Sequence, residues 1–351
     1  MGHGKGLART GYAEQRLKGQ TLIQPFDQTG NGLGLIARWL KGLVKPEGTV
    51  WECQPHGYNT LDIIFHVITM NAPHSASVLS GVPLAPKDPI LGVTESFNAD
   101  KNPAKVNLGV GVYYDDQGKV PLLECVRRAE AVMAASVSPR AYLPIDGLAS
   151  YDSAVRELVF GQDSPAVKEG RVVTVQALGG TGALKLGADF LRRISPTAQI
   201  WISDPSWENH RALFEGAGFT VNTYPYYAAV SHGVNFPAMM DVLDTLPPGS
   251  IVLLHACCHN PTGVDLDGDQ WTTVIQTLVG RGLIPFVDIA YQGFGDGIDA
   301  DGTVVRKFAA AGIPVFVSNS FSKSLSLYGE RVGALSIVAA DKDEAARVLS
   351  Q

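Results

Sequence analysis

From Arg171 onward the sequence repeats one unit: a short apolar run, a polar or glycine-rich break, then apolar residues at three- and four-residue spacing. The runs 172–175, 200–202, 251–254, 284–287, 315–317 and 334–338 are too short for helices and read as buried strands. Segments 183–194, 209–217, 271–280 and 304–311 carry the helical period. Apolar strands alternating with helices predict an α/β fold, a mostly parallel sheet with helices on both faces. Ligands of such sheets bind beyond the carboxyl ends of the strands. Chemistry-bearing residues should therefore follow the strands directly.

They do. After 172–175 comes Gly179-Gly180-Thr181-Gly182, leading into a helix. Glycines admit an anion to the backbone, and a helix N-terminus supplies N–H groups; a plain tight turn reads equally well. After 200–202 comes SDPSWENH, in which Trp207 can stack on a planar ring and His210 can bond a buried carboxylate. A core tryptophan and a surface histidine are the ordinary readings. After 251–254 comes HACCHNPTG, whose turn would hold the Asn260 amide at a strand end. The His and Cys there fit no common zinc spacing, so no metal is expected. After 284–287 come Asp288 and Tyr291. A carboxylate ending an apolar strand needs a partner, for which a protonated pyridine nitrogen qualifies; an N-cap is the alternative. Tyr291 is in reach of a phenolate on the same ring.

The last strand end carries most weight. Run 315–317 leads into SNSFSKSLSLYGERVG, residues 318–333. Lys323 is a poor packing residue but a good imine former where burial and nearby positive charge lower its pKa. Ser320, Ser322 and Arg331 can hold a phosphate. A surface lysine in a serine-rich loop is the alternative for this stretch alone. Together the five strand ends supply an anion cradle, a stacking ring, an amide, an acid and an amine, which is the set pyridoxal phosphate requires.

Composition narrows the partners. The chain has 351 residues and a net charge of −6, without the basic surface that nucleic acid requires. No apolar run approaches the roughly 18 residues of a membrane span. Lys5 and Arg9 have no apolar segment behind them, so no secretory signal is read. Cysteines 53, 125, 257 and 258 show no pairing pattern, which suits a reduced, cytoplasmic setting. Residues 1–77 read as an unassigned extension, possible disorder included. Their G-x-G-x-x-A match at 32–37 lacks a preceding strand and precedes a short amphipathic segment, 35–43. Further on, a helix is expected from Asp88-Pro89-Ile90-Leu91, with Val93 and Phe97 on its apolar side. A glycine-broken strand is expected at 105–113, a turn at 115–118, and an amphipathic helix through Leu122, Leu123, Val126, Ala129, Val132 and Met133.

GGTGAL, SDPSWENH, HNPTG, DIAYQGF and SNSFSKSLSLYGERVG, in this order and spacing, resemble class I aminotransferases of the aspartate/aromatic group. In detail, with Tyr142-Leu143-Pro144-Ile145-Asp146-Gly147, the likeness is to bacterial aromatic (tyrosine) members. It runs from about Pro86 to the last residue. It implies a fold-type I pyridoxal-phosphate-dependent transferase with a seven-stranded sheet. The implied domains are an arm and the start of a small domain at 78–121 and a cofactor-binding large domain at 122–351.

The resemblance also implies roles. Lys323 would form the imine with pyridoxal 5'-phosphate and shuttle the proton. Asp288, supported by His210, would pair with the pyridine nitrogen. Asn260 and Tyr291 would bond the phenolate oxygen, and Trp207 would stack on the ring. Gly180, Thr181, Ser320, Ser322 and Arg331 would hold the phosphate. Tyr142 would reach the phosphate of the other subunit, implying a homodimer with shared active sites. Gly111, Trp207 and Asn260 would contact substrate. The implied activity is ping-pong transamination between an aromatic or acidic L-amino acid and a 2-oxo acid such as 2-oxoglutarate. Family members continue well past the lysine, and here 28 residues follow it. An incomplete small domain without the carboxylate-binding arginine is expected on that ground, with impaired catalysis or another reaction on the same fold as alternatives.

Overall fold

The computed structural model describes residues 77–84, 89–106, 111–137, 139 and 141–351. The chain divides into two compact units, Met1–Pro86 and Lys87–Gln351. In the first, Ser80 N–H closes a turn on the Ser77 carbonyl at 2.7 Å. The glycine pattern at 32–37, the segment 35–43 and nearly all of the 1–77 extension lie outside the described residues.

The second unit begins with helices α1 (Pro89–Ala99), α2 (Glu124–Ala135), α3 (Ala149–Phe160) and the short α4 (Pro165–Lys168). Then come β1 (Val172–Leu178), α5 (Gly179–Ile194), β2 (Ile200–Asp204), α6 (Glu208–Gly216) and β3 (Val221–Pro225). A two-stranded ribbon, β4 (Tyr227–Ala228) with β5 (Gly233–Val234), precedes α7 (Phe236–Leu243). The chain continues through β6 (Ile251–His255), α8 (Gly268–Arg281), β7 (Ile284–Ile289), α9 (Ile298–Asp301) and α10 (Thr303–Ala310). It closes with β8 (Val315–Ser320), β9 (Val332–Val338) and α11 (Lys342–Leu349).

Seven strands form one sheet in the order β1-β9-β8-β7-β6-β2-β3. Neighbours from β8 through to β3 are parallel, and β9 runs antiparallel to both β1 and β8. The six expected strands are present. The seventh is β3 at the edge, not the 105–113 run, whose described residues 105–106 and 111–113 are in no strand. The VNTYP of β3 escapes an apolar-run criterion because an edge strand is covered only in part and tolerates its proline.

Adjacent strand residues alternate between two cores. Val252, Leu254, Val287, Ile289, Val315 and Val317 join α3, α7, α8 and α10 on one face. Ile251, Leu253, Phe286 and Phe316 join α5 and α6 on the other. Burial on both faces is why these strands read as unbroken apolar runs. On the second face α5 lies close to the sheet: a Cβ on Gly187 would stand 2.6 Å from Phe286 Cζ.

The expected turn at 115–118 closes with Gly118 N–H on the Asp115 carbonyl at 2.9 Å. Helix α2 forms as expected, but its apolar side is not a core face. Val126 is buried, while Leu122, Val132 and Met133 are exposed. Helix α3 and helix α7 were not anticipated. Among the described residues no helix is long and apolar enough to cross a membrane.

Candidate active site

The carboxyl ends of β1, β2, β6, β7 and β8 open on a cleft of about 280 Å³. Gly111, Gly180, Thr181, Trp207, Asn260, Asp288, Tyr291, Ser320, Ser322, Lys323 and Arg331 all line it. Two expected residues do not. His210 stands behind Asp288, fully buried. Tyr142 is fully exposed, and no residue of this cleft's wall is formed by it.

One end of the cleft is an anion cup. Helix α5 starts at Gly179 itself, so the GGTG stretch is its first turn and not a loop before it. No side chain caps that turn, and its first N–H groups lack intrahelical partners. Gly179 has φ +67°, and a Cβ there would stand 2.9 Å from Arg331 Nη2. Arg331 itself has φ +57°, a left-handed backbone costly for a side-chain-bearing residue. Its Nη1 donates to the Tyr328 carbonyl at 3.1 Å. Ser320 and Ser322 are buried beside the cup, and Ser322 N–H donates to Ser320 Oγ at 3.3 Å. Uncapped N–H groups, two hydroxyls and a guanidinium are a donor set matched to phosphate.

The other end is a buried acid. Asp288 sits within β7, paired in register with His255 of β6 and Ser318 of β8. It is 7% exposed and bonded to His210 Nε2 at 3.0 Å. The bonds behind it have a direction. Asn260 N–H donates to His255 Nδ1 at 3.4 Å, which leaves the His255 proton on Nε2. That N–H faces Ser206 Oγ at 3.4 Å, and the Ser206 hydroxyl donates to His210 Nδ1 at 3.0 Å. His210 then donates through Nε2 to Asp288 Oδ2. Burial first, then the neighbouring imidazoles, hold His255 well below the usual histidine range, so it is neutral. The relay leaves Asp288 as acceptor, with its carboxylate facing the cleft.

A third imidazole extends this end. His259 stacks on Tyr226 with centroids 3.9 Å apart and lies 4.2 Å from the His255 ring. Its nitrogens meet Ser203 Oγ and Thr262 Oγ1, each at 2.8 Å. Burial, then His210, lower its pKa to about 4. Asp265 accepts from Cys258 N–H at 2.6 Å and His259 N–H at 2.8 Å, pinning the turn that carries Asn260. The two histidines of the sequence stretch that resembles a broken metal pattern are thus engaged in ring contacts and hydrogen bonds to hydroxyls, with His259 against His255 and His255 against His210. Cys257 and Cys258 are free thiols, both pushed up in pKa by burial.

Between the ends, Lys323 Nζ lies 4.9 Å from the Tyr291 ring centre. Burial lowers its pKa, Asp288 raises it, and Arg331 lowers it again. Trp207 lines the wall edge-on to His210, with centroids 5.2 Å apart. Sequence reasoning missed several members of this site: His255 and Tyr328 on the lining, and Ser206 in the relay. His255 was findable, since it ends β6. Tyr328 follows Lys323 in the same stretch, but its contact with Tyr113, whose N–H donates to Tyr328 Oη at 3.0 Å, is long-range and not visible in spacing.

Comparison with known proteins identifies the family. The family model for aminotransferase class I and II matches residues 103–351. An aspartate aminotransferase of Pseudomonas aeruginosa is 61% identical over 275 residues, covering 78% of this chain and 69% of that protein. An aromatic-amino-acid aminotransferase of Escherichia coli is 54% identical, covering 75% and 67%. The crystal structure of the aromatic-amino-acid aminotransferase of Burkholderia pseudomallei, covalently bound to pyridoxal phosphate, superposes with a TM-score of 0.77. It shares 64% identity and covers 78% of this chain and 69% of that one. With the matched model spanning most of the second unit and its strand ends, the chain belongs to the class I and II aminotransferases.

Proposed function

We propose that this cleft holds pyridoxal 5'-phosphate and carries out transamination between an aromatic or acidic L-amino acid and a 2-oxo acid, in ping-pong order. The observation that carries the reading is the pairing, in one cleft, of a half-buried Lys323 with a buried Asp288 and an uncapped helix N-terminus. Gly180, Thr181, Ser320, Ser322 and Arg331 fit the phosphate. Asp288, with His210 behind it, fits a protonated ring nitrogen. Asn260 and Tyr291 are assigned to the phenolate oxygen, and Trp207 to the ring face. When bound, the group supplies an aldehyde that condenses with amines and a ring that draws electrons from the substrate α-carbon.

The chain's own residues do the rest. Lys323, its charged form disfavoured by burial and by Arg331, presents a free amine near neutral pH more readily than an exposed lysine. It is both nucleophile and carrier of the α-proton. Asp288 would hold the ring nitrogen in its charged form, and the relay from Asn260 would keep His210 donating to Asp288. Gly111 and Trp207 border the substrate. We assign residues 78–121 to an arm and the start of a small domain, and 122–351 to the cofactor-binding domain. The exposed Tyr142, beside exposed Leu143 and Ile145, is assigned to a second copy's phosphate cup in a homodimer. The free thiols suit a cytoplasmic setting.

Among the described lining residues the cations are Lys323 and Arg331, both already assigned. This favours a second reading, a chain that holds the cofactor but grips a substrate carboxylate weakly. Absorbance spectra with added pyridoxal phosphate separate the two. The first reading expects a visible band that is lost in Lys323→Ala and shifts on adding tyrosine, phenylalanine or aspartate. A band without the shift supports the second reading, and no Lys323-dependent band overturns both.

A further inference from the structure

Strand β1 has a second pocket at its other end. About 340 Å³ in volume, it is lined by the first residues of β1, by α3 and by α11, well separated in sequence from the cleft residues that follow Leu178. Four charged residues are among its lining: Asp146, Asp152, Arg156 and Lys342. Asp152 is 3% exposed, and its Oδ1 has no hydrogen-bond partner. Burying a carboxyl group in this way is costly unless something completes it. Burial raises the Asp152 pKa, Arg156 one helical turn on lowers it and Asp146 raises it. Asp152 and Arg156 nevertheless form no ion pair, so a cation in the pocket would favour the charged form of Asp152. Among the described residues, none of the four side chains is engaged in an ion pair or hydrogen bond. Thr174, also on the lining, is already bonded to Ser336 Oγ at 2.8 Å.

Two uncommitted acids and two uncommitted bases around one small pocket select a ligand by charge. A simple anion would face Asp146 and Asp152, and a simple cation would face Arg156 and Lys342. We infer that this pocket binds a compact zwitterion, an α-amino acid whose ammonium meets Asp146 and Asp152 and whose carboxylate meets Arg156 and Lys342. The rest of the lining, which includes Ala149, Val172, Ala345 and Leu349, suits a small apolar side chain. The inference does not rest on the reading of the cleft.

Calorimetric titration of the purified full chain with L-alanine tests it. One saturable site is expected. Arg156→Gln and Asp152→Asn should each weaken it by at least about tenfold, and Arg331→Gln, which alters the cleft, should leave it unchanged. Acetate and methylammonium, each carrying one of the two charges, should bind at least about tenfold more weakly. If Asp152→Asn melts early, exposed Lys342→Gln takes its place, and weakened binding is again expected. Absence of saturation, indifference to Arg156→Gln, or loss in Arg331→Gln overturns the proposal.

Discussion

At the cup end of the cleft the working groups are backbone N–H donors, two serine hydroxyls and Arg331, held by glycine and left-handed backbone. At the acid end they are Asp288 and three imidazoles, set in place by ring contacts and by bonds to Ser206, Ser203, Thr262 and the Asn260 backbone N–H. The cup lines the open cleft, where the proposed phosphate would neutralise it. The acid end is largely buried, so the polar atoms that do not face the cleft must be satisfied from within. Changes at the acid end should therefore act on chemistry and on pH, and changes at the cup on binding.

The largest effect is expected from Asp288→Ala. It removes the carboxylate proposed to face the ring nitrogen and strands the His210 N–H. A fall in kcat of about 10²–10³-fold is expected, with the chain still able to take up pyridoxal phosphate through the cup. Equal loss of binding and rate would erase the contrast between the two ends.

The buried imidazoles give the next effect. His259 is pushed down to about 4 in the folded chain and returns to the ordinary 6.5 on unfolding. Its folded form binds fewer protons, so its contribution is full above about pH 6.5 and is lost as pH falls towards 4. The loss amounts to about 3 kcal/mol, and His255 acts in the same direction. Denaturant titrations at neutral and acid pH should show this fall, and His259→Gln should flatten it. A wild-type stability unchanged down to pH 4 would contradict the neutral column.

At the cup, Gly179→Ala places a Cβ 2.9 Å from Arg331 Nη2 on a residue with φ +67°. A stability cost of about 1–2 kcal/mol is expected, and cofactor affinity should fall while kcat at saturation changes little. Thermal melts and a cofactor titration read the two separately.

The smallest effect sharpens the comparison most. Arg331 lowers the Lys323 pKa and Asp288 raises it. Labelling of Lys323 by an amine reagent, followed against pH, should shift its midpoint upward in Arg331→Gln and downward in Asp288→Asn. Each shift should be about one unit or less. Shifts of the same sign would mean that the two ends do not oppose each other at the lysine.

Much of this site was readable in the chain, for a simple reason. Strands β6, β7 and β8 are covered on both faces, so they read as apolar runs, and Asn260, Asp288 and Lys323 stand at or after the point where each run gives way to polar residues. The cup was readable in type but not in form. GGTG reads as a turn, whereas the structure makes it the first turn of α5, with Gly179 accommodating Arg331. Helix α2 carries the same periodic signal as α10, yet Val304, Val305 and Phe308 of α10 are buried while Val132 and Met133 of α2 are exposed. Periodicity reports what a helix is able to bury and not what it meets.

The sequence by itself determined the α/β class, the strand ends and the residue types that gather there, because hydrophobic period and chain connectivity are local properties. Only the tertiary structure decided the strand order, the place of β3 as seventh strand and the imidazole column behind Asp288. It also decided the meeting of Asp146, Asp152, Arg156 and Lys342. These depend on which buried surfaces face one another across long stretches of chain, and spacing along a single sequence carries no record of that.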